Sequence, residues 1–110
     1  MYTRPEQVEL QCEQVKVGMH AYPDKAKTFF ETAQIYVNNI IKNNGEEKFR
    51  KINKENKAFQ GRIVEVFGGV ETLQVIGYEE DGGFLVLKHW DIKELQAISA
   101  ILQRYAAYYN

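Results

Sequence analysis

The sequence predicts an α+β domain in which helices pack around a small three-stranded antiparallel sheet. Apolar residues recur every three or four positions from Ala26 to Ile41 and again from Ile92 to Tyr105, which is the period of an amphipathic helix. Between them, residues 78 to 87 contain two short strand-like runs around Asp81-Gly82-Gly83, the pattern of a hairpin. A length of 110 residues with 45% hydrophobic residues suits one domain with one core.

Residues 1 to 22 are expected to be a partly helical N-terminal extension, because their apolar residues follow a mixed period without a clear face. The domain itself is expected to span residues 23 to 110. It begins with a long helix, since Pro23 ends any preceding element and Asp24 can accept hydrogen bonds from the first free amides as N-cap. The run from Asn43 to Gly45 ends this helix, because Asn and Gly tolerate the left-handed conformation.

Three short elements are predicted next. The spacing of Asn44 and Glu47 is that of a capping box, which starts a short helix. A short strand over residues 50 to 53 follows it. Residues 56 to 65 then form another short helix, capped by its first residue. The inward-facing residues of this helix are predicted to be Phe59 and Ile63.

The second half of the chain is divided by glycines. The pair Gly68-Gly69 breaks the chain before a helix that ends at Gly77, and the hairpin follows directly. Asp91 caps the last helix. Residues 106 to 110 are expected to fray, as chain ends often do.

Charge is distributed unevenly along the chain, although the formal net charge is only −1. Residues 42 to 62 hold seven cations and three anions, which is +4, and the remainder holds seven cations and twelve anions, which is −5. Such asymmetry favours an acidic partner at one face, but it is equally typical of a solvated basic helix. Nucleic-acid binding through residues 42 to 62 is the alternative, because cations interleaved with Phe49 and Phe59 can imitate a stacking groove. The overall charge balance argues against it.

Catalysis, metal binding and a cofactor are not expected, because Cys12, His20 and His89 are scattered and no phosphate-binding glycine loop is present. No apolar run approaches the roughly 20 residues needed to cross a bilayer. The polar, acidic N-terminus resembles neither a signal nor a transit peptide, and a single cysteine fits a reducing compartment. A monomer in the cytoplasm, or also in the nucleus, is therefore expected.

A series of short motifs runs through residues 36 to 87: Asn39-Ile40-Ile41, Glu47-Lys48-Phe49-Arg50-Lys51-Ile52, Asn56-Lys57-Ala58-Phe59, Gly69-Val70-Glu71-Thr72-Leu73, Gly77-Tyr78-Glu79 and Phe84-Leu85-Val86-Leu87. In this order and spacing the motifs resemble the PUB (or PUG) domain of peptide N-glycanase, UBX adaptor proteins and the linear-chain ubiquitin ligase. The resemblance implies a non-enzymatic docking domain of the ubiquitin–proteasome pathway and ER-associated degradation. Its implied ligand is the acidic, Leu-Tyr-containing C-terminal tail of the valosin-containing AAA-family ATPase.

The resemblance also implies a peptide-binding site. Asn39 is expected to hydrogen-bond the peptide backbone, with Tyr36 one turn earlier as part of the wall. Lys48 and Phe49 are expected to border the socket for the leucine or tyrosine anchor. The rest of the groove is expected to be lined by Lys51, Asn53 and Asn56.

Two residues depart from the family pattern: many members have Tyr at the position of Phe49, and Arg or Lys at that of Asn53. The first change removes a hydroxyl contact and the second a cation. Lys51 or Lys54 could compensate, but strand alternation places only Lys51 on the face of Asn53. A weak tail affinity, or a preference for another acidic motif, is therefore expected.

The residue pattern itself leaves other interpretations open. Asn39 could merely satisfy a helix end, and Tyr36, Phe49 and Ile52 could belong to the core. Phe59 is assigned to the core. Ubiquitin binding is neither supported nor excluded by the sequence.

Overall fold

The α+β fold class is confirmed in a computed structural model that describes residues 1 to 110. Five α-helices surround one sheet, with a 3-10 helix and a π-helical turn between them. In chain order the elements are α1 (Arg4–Gly18), α2 (Pro23–Lys42), the 3-10 helix (Glu47–Arg50), β1 (Lys51–Asn53), α3 (Lys57–Phe59), the π-helical turn (Gln60–Val64), α4 (Gly69–Ile76), β2 (Tyr78–Asp81), β3 (Phe84–Leu87) and α5 (Ile92–Tyr108).

The sheet is three-stranded and antiparallel, as predicted, with the strand order β1-β3-β2. Ile52 of β1 lies opposite Leu85 of β3, and Tyr78 of β2 lies opposite Leu87. All four residues are buried, so one face of the sheet contributes to the core. The hairpin turn uses Gly82 at φ +61°, a conformation that favours glycine.

Helix α2 packs against α5 to form the centre of the core. The ring of Phe30 lies 5.3 Å from that of Tyr105 and 6.1 Å from that of Tyr109, measured between centroids. Because these aromatic contacts reach the chain end, the expectation that residues 106 to 110 fray is not met: α5 continues to Tyr108, and Ala106 is buried. None of the helices has both the length and the apolar character needed to cross a membrane.

The N-terminal helix α1 has a regular buried face that the sequence pattern concealed. The core residues recur at steps of four, three and four: Val8, Cys12, Val15 and Met19. The period looked mixed because Leu10 and Val17 are exposed, and because Cys12 acts as an apolar residue. Helix α1 packs on α4 and α5, so residues 1 to 22 share one hydrophobic core with the rest of the chain. The domain boundary at residue 23 stays a prediction.

Three predicted helix-end signals are wrong in detail. Asp24 lies inside the first turn of α2, whose N-cap is Tyr22, and its charge there meets the positive end of the helix dipole. Asn43 ends α2 at φ −125° rather than in the left-handed region. Asn44 and Glu47 form no capping box, because the 3-10 helix is preceded by Glu46 and has no side-chain cap.

Two predicted caps are confirmed. The Asn56 Oδ1 atom accepts a hydrogen bond from the Phe59 amide at 3.0 Å. The Asp91 Oδ1 atom accepts one from the Lys93 amide at 2.8 Å. Phe59 and Ile63 are buried as predicted, but the helix expected over residues 56 to 65 is divided into α3 and the π-helical turn.

Substitution of Val15 by alanine should test whether α1 is part of the core. Val15 is fully buried, so Val15→Ala should lower the free energy of unfolding by about 2 kcal/mol through lost apolar burial and an unfilled cavity. Val17→Ala is the matched control, because Val17 on the same helix is 68% exposed; its effect should stay within about 0.5 kcal/mol. Urea unfolding followed by circular dichroism measures both. Equal values for the two variants would contradict the packing described.

The thiol of Cys12 should react only when the protein unfolds. Burial raises the pKa of Cys12 to about 12, with the nearby Glu9 carboxylate adding to the shift. The native protein should therefore react with a thiol reagent at pH 8 far more slowly than the urea-unfolded chain. Since the unfolded chain loses this proton at a lower pH than the folded one, stability should decrease as the pH rises above about 8.5. Rapid labelling of the native protein would contradict the burial of Cys12.

Candidate functional site

A groove of about 330 Å³ lies between α2 and the segment that runs from the 3-10 helix to the π-helical turn. Its lining residues are Thr32, Ile35, Tyr36, Asn39, Lys48, Phe49, Lys51, Ile52, Asn53, Asn56, Ala58 and Arg62. All seven residues of the predicted site are among them, and Asn39 and Lys48 approach the same concavity from different elements. Their role in binding a ligand stays a prediction.

Helix α2 supplies one wall of the groove. Thr32, Ile35, Tyr36 and Asn39 follow one another at helical spacing, so they form a stripe along one side of the helix. The stripe lies beside the core-facing residues of the same helix. Ile35 is exposed, and the hydroxyl of Thr32 donates to the carbonyl of Thr28 at 2.7 Å. The wall is therefore apolar along its length and carries one amide near its C-terminal end.

The side-chain amide of Asn39 has no hydrogen-bond partner within the chain. The end of α2 is instead satisfied by Asn43, whose backbone amide and Nδ2 atom both donate to the Asn39 carbonyl at 3.0 Å. The structure therefore does not assign Asn39 the helix-end role that the sequence left open. The donor and the acceptor of its side chain are both available at the groove.

The 3-10 helix supplies the opposite wall. Phe49 is half-buried and packs against the core, so it shows part of its ring to the groove. The Lys48 Nζ atom lies 5.1 Å from the centroid of that ring and 3.8 Å from the Glu46 carboxylate. Because the Lys48 side chain is 74% exposed, this ion pair holds it only weakly. The lysine can exchange its carboxylate partner for one on a ligand.

Strand β1 forms the floor, and its residues Lys51, Ile52 and Asn53 all line the groove. Lys54 instead pairs with Glu80 at 3.2 Å outside it. The Lys51 Nζ atom lies 3.8 Å from the Glu47 carboxylate and 4.8 Å from the centroid of the Phe84 ring. The expected placement of Lys51 with Asn53, and of Lys54 away from them, is thus observed.

At the far end of the groove, the side-chain oxygens of two asparagines accept hydrogen bonds from nearby backbone amides. Asn53 Oδ1 accepts from the Glu55 amide at 2.9 Å, and Asn56 Oδ1 caps α3. The Nδ2 groups of both residues have no partner within the chain. Each asparagine therefore presents donors, and Asn39 alone presents a free amide oxygen as well.

Five groove residues were not among the predicted site residues: Thr32, Ile35, Ile52, Ala58 and Arg62. Arg62 is the most informative of them, because its guanidinium makes no ion pair and no hydrogen bond within the chain. It belongs to the basic segment that the sequence singled out. The direction of the Arg62 side chain depends on the π-helical turn, which no local sequence pattern predicts.

Two neighbouring tyrosines stay neutral: Tyr36, which lines the groove, and Tyr78, a buried residue of β2. Burial raises the pKa of Tyr36, and the charge of Arg62 opposes that shift in part. Burial, and secondarily the neighbouring Tyr36, raise the pKa of Tyr78, whose hydroxyl is buried without a hydrogen-bond partner. A phenol in this state can donate a hydrogen bond but adds no negative charge, so the groove keeps its positive character.

The side chains that the sequence offered as candidates for catalysis or metal binding lie outside the groove. Cys12 is in the core, and the His20 ring lies against the Val17 carbonyl at 3.2 Å. No group of three or more His, Cys, Asp or Glu side chains is placed to hold a metal ion. An open groove with amide donors, apolar walls and cations suits an extended acidic peptide.

Comparison with known proteins agrees with this architecture. The family model for the PUB domain matches residues 23 to 100. The chain is 36% identical over 80 residues to UBX domain-containing protein 6 of Caenorhabditis elegans. The aligned region covers 68% of this chain and 18% of that protein. It is 35% identical over 80 residues to the peptide-N(4)-(N-acetyl-beta-glucosaminyl)asparagine amidases of Rattus norvegicus and Homo sapiens, covering 69% of this chain and 12% of each amidase.

The chain thus spans less than a fifth of the length of these relatives. The amidase activity is named for the longer proteins, and the match concerns a small segment of them. That segment is a protein-interaction module in its family, and both the fold and the matched residues place this protein with it. The chain belongs to the PUB domain family.

Proposed function

We propose that this chain docks an acidic peptide with a Leu-Tyr anchor, and that the ligand is the C-terminal tail of the valosin-containing AAA-family ATPase. The domain would thereby link the ATPase to ubiquitin-dependent protein processing, including ER-associated degradation, as a monomer in the cytoplasm or nucleus. The proposal depends chiefly on one observation: the free amide of Asn39 and the cations of Lys48 and Arg62 line the same groove.

The anchor fits the middle of the groove. Tyr36 and Phe49 face it from opposite walls, and Ile52 lies on the floor. An aromatic or leucine side chain enclosed there would bury apolar area and supply most of the affinity. Asn39 can pair with both the N–H and the C=O of one peptide unit, which would orient the chain beside the anchor.

Acidic residues of the ligand fit the rim. Lys48 and Lys51 are each held by an exposed glutamate, so a ligand carboxylate must compete for them. Arg62 has no such competitor, and its planar guanidinium can bind a carboxylate with two hydrogen bonds. Arg62 therefore replaces, at another point of the rim, the cation that is missing at Asn53.

Nucleic-acid binding is less well supported as an alternative. Phe59 is 2% exposed, so it cannot stack on a base. The guanidinium of Arg50 lies over the Trp90 ring, and Lys54 is paired with Glu80. The basic segment is thus divided among several local contacts and does not form a continuous track for a phosphate backbone.

Asn39→Ala should weaken binding of an acidic peptide that ends in the Leu-Tyr motif by at least fivefold, because hydrogen bonds worth about 1–3 kcal/mol are lost. The melting temperature should change little, since the side chain has no partner within the chain. Isothermal titration calorimetry and thermal denaturation measure the two effects.

Asn38→Ala is the matched control, because the neighbouring Asn38 accepts a hydrogen bond from Ser99 at 2.6 Å instead of facing the groove. It should lower stability and leave affinity unchanged.

A tyrosine-phosphorylated peptide should not bind, because about two negative charges cannot enter an apolar socket unpaired. Full binding by Asn39→Ala, or by the phosphorylated peptide, would contradict the proposed mode.

Arg62→Gln should reduce affinity about three- to tenfold and flatten the dependence of affinity on salt, because one exposed charge contact is removed. Lys57→Gln is the matched control: Lys57 belongs to the same basic segment and does not line the groove. Titrations at two salt concentrations separate the variants. An equal loss in both would mean that the total charge of the segment matters rather than the position of Arg62.

A further inference from the structure

The groove depends on a short connection that contains no buried residue. Residues 43 to 46 join α2 to the 3-10 helix and so set the distance between the two walls. The 3-10 helix contains no fully buried residue and has no side-chain cap; its one contact with the core is made by the half-buried Phe49. Its ion pairs, from Lys48 to Glu46 and from Lys51 to Glu47, are both 3.8 Å long and exposed, so they restrain it little.

Three residues tie this connection down from outside the groove. The Trp90 Nε1–H donates to the Asn44 Oδ1 atom at 2.6 Å. Arg50 Nη1 donates to the Asn44 backbone carbonyl at 2.9 Å. The Arg50 guanidinium carbon lies 4.1 Å from the centroid of the Trp90 ring, within the range of a cation–π contact. Each residue of the trio therefore contacts the other two.

Trp90 is well placed to act as a fixed point. It lies 46 positions from Asn44 in sequence, in the connection between β3 and α5. The next residue, Asp91, is the N-cap of α5, the helix that packs against α2. The contact with Trp90 therefore connects the 3-10 helix side of the groove to α5, which packs against α2, the helix that carries Asn39.

We propose that Asn44, Arg50 and Trp90 form a positioning clamp that holds Lys48 and Phe49 at the distance from Asn39 that a ligand requires. None of the three residues lines the groove. The clamp also explains why Arg50, although cationic and next to Phe49, does not contribute to the charge of the groove. The inference rests on the proposed function only where ligand binding is the readout.

The expected effect on peptide affinity follows from the fraction of the free protein in which the 3-10 helix is in its binding position. If the connection loses a restraint, the 3-10 helix occupies its binding position for a smaller fraction of the time, and the apparent affinity falls by that fraction. Loss of one hydrogen bond of ordinary strength, here an exposed one, corresponds to about a two- to tenfold change. The ligand contacts themselves remain intact.

Trp90→Phe tests the clamp, because it removes the indole N–H and keeps an aromatic ring for Arg50. We expect the affinity for the acidic Leu-Tyr peptide to fall about two- to tenfold, mainly through slower association, because the contacts in the bound state remain intact. The amide NMR signals of residues 47 to 50 should shift or broaden in the free protein. Tyr108→Phe is the control, since Tyr108 is an exposed aromatic residue of α5 that does not line the groove.

The partner of the hydrogen bond provides a second test. Asn44→Asp keeps an oxygen acceptor and should retain most of the affinity, whereas Asn44→Ala should match Trp90→Phe. The double variant Asn44→Ala/Trp90→Phe should be no weaker than either single variant, because both remove one contact. Additive losses would overturn the assignment, and so would a lowered melting temperature with unchanged affinity.

The two proposals can fail separately. If the unmodified protein does not bind the peptide, the proposed ligand is wrong, and the NMR signals of residues 47 to 50 then decide about the clamp. Unchanged signals in Trp90→Phe would overturn the clamp with or without a ligand. Shifted signals confined to that segment would support it.

Discussion

One face of helix α2 packs in the core and the adjacent face lines the groove. The rest of the domain is arranged around this helix. Phe29 and Phe30, whose rings meet edge-on at 5.1 Å, anchor the buried face against its neighbours. Turning the helix by one residue, about 100°, would expose these aromatics. The hydrophobic burial that stabilises the fold therefore also determines where Asn39 points, and no separate interaction is needed to aim it.

Local patterns were sufficient for the elements whose causes are local. The periodicity of α2 and α5, the glycine turn of the hairpin and the caps at Asn56 and Asp91 depend on neighbouring residues, and all were predicted. Asn44 was misassigned because its true partner, Trp90, lies far away in sequence. Arg62 was missed because a π-helical turn changes the direction of side chains without any residue signature. The assembly of the groove followed from family resemblance, since periodicity does not bring separate elements together.

The basic segment illustrates the difference between the number of charges and their placement. Seven cations suggested a single positive surface, but the fold assigns them different partners. Arg50 lies over Trp90, and Lys54 pairs with Glu80 outside the groove. Arg62 alone faces the groove without a carboxylate neighbour. A net charge of +4 therefore overstates what a ligand in the groove experiences, and the chain can remain nearly neutral while presenting one positive rim.

Between residues 47 and 56, which supply half of the groove, Ile52 is the single buried residue. Phe49 and Asn53, the two residues expected to depart from the family pattern, fall within this stretch. Because the stretch buries so little surface, most substitutions in it should cost the fold little free energy of unfolding. On the proposed function, exchange of this ten-residue segment between family members should change ligand preference without loss of the fold.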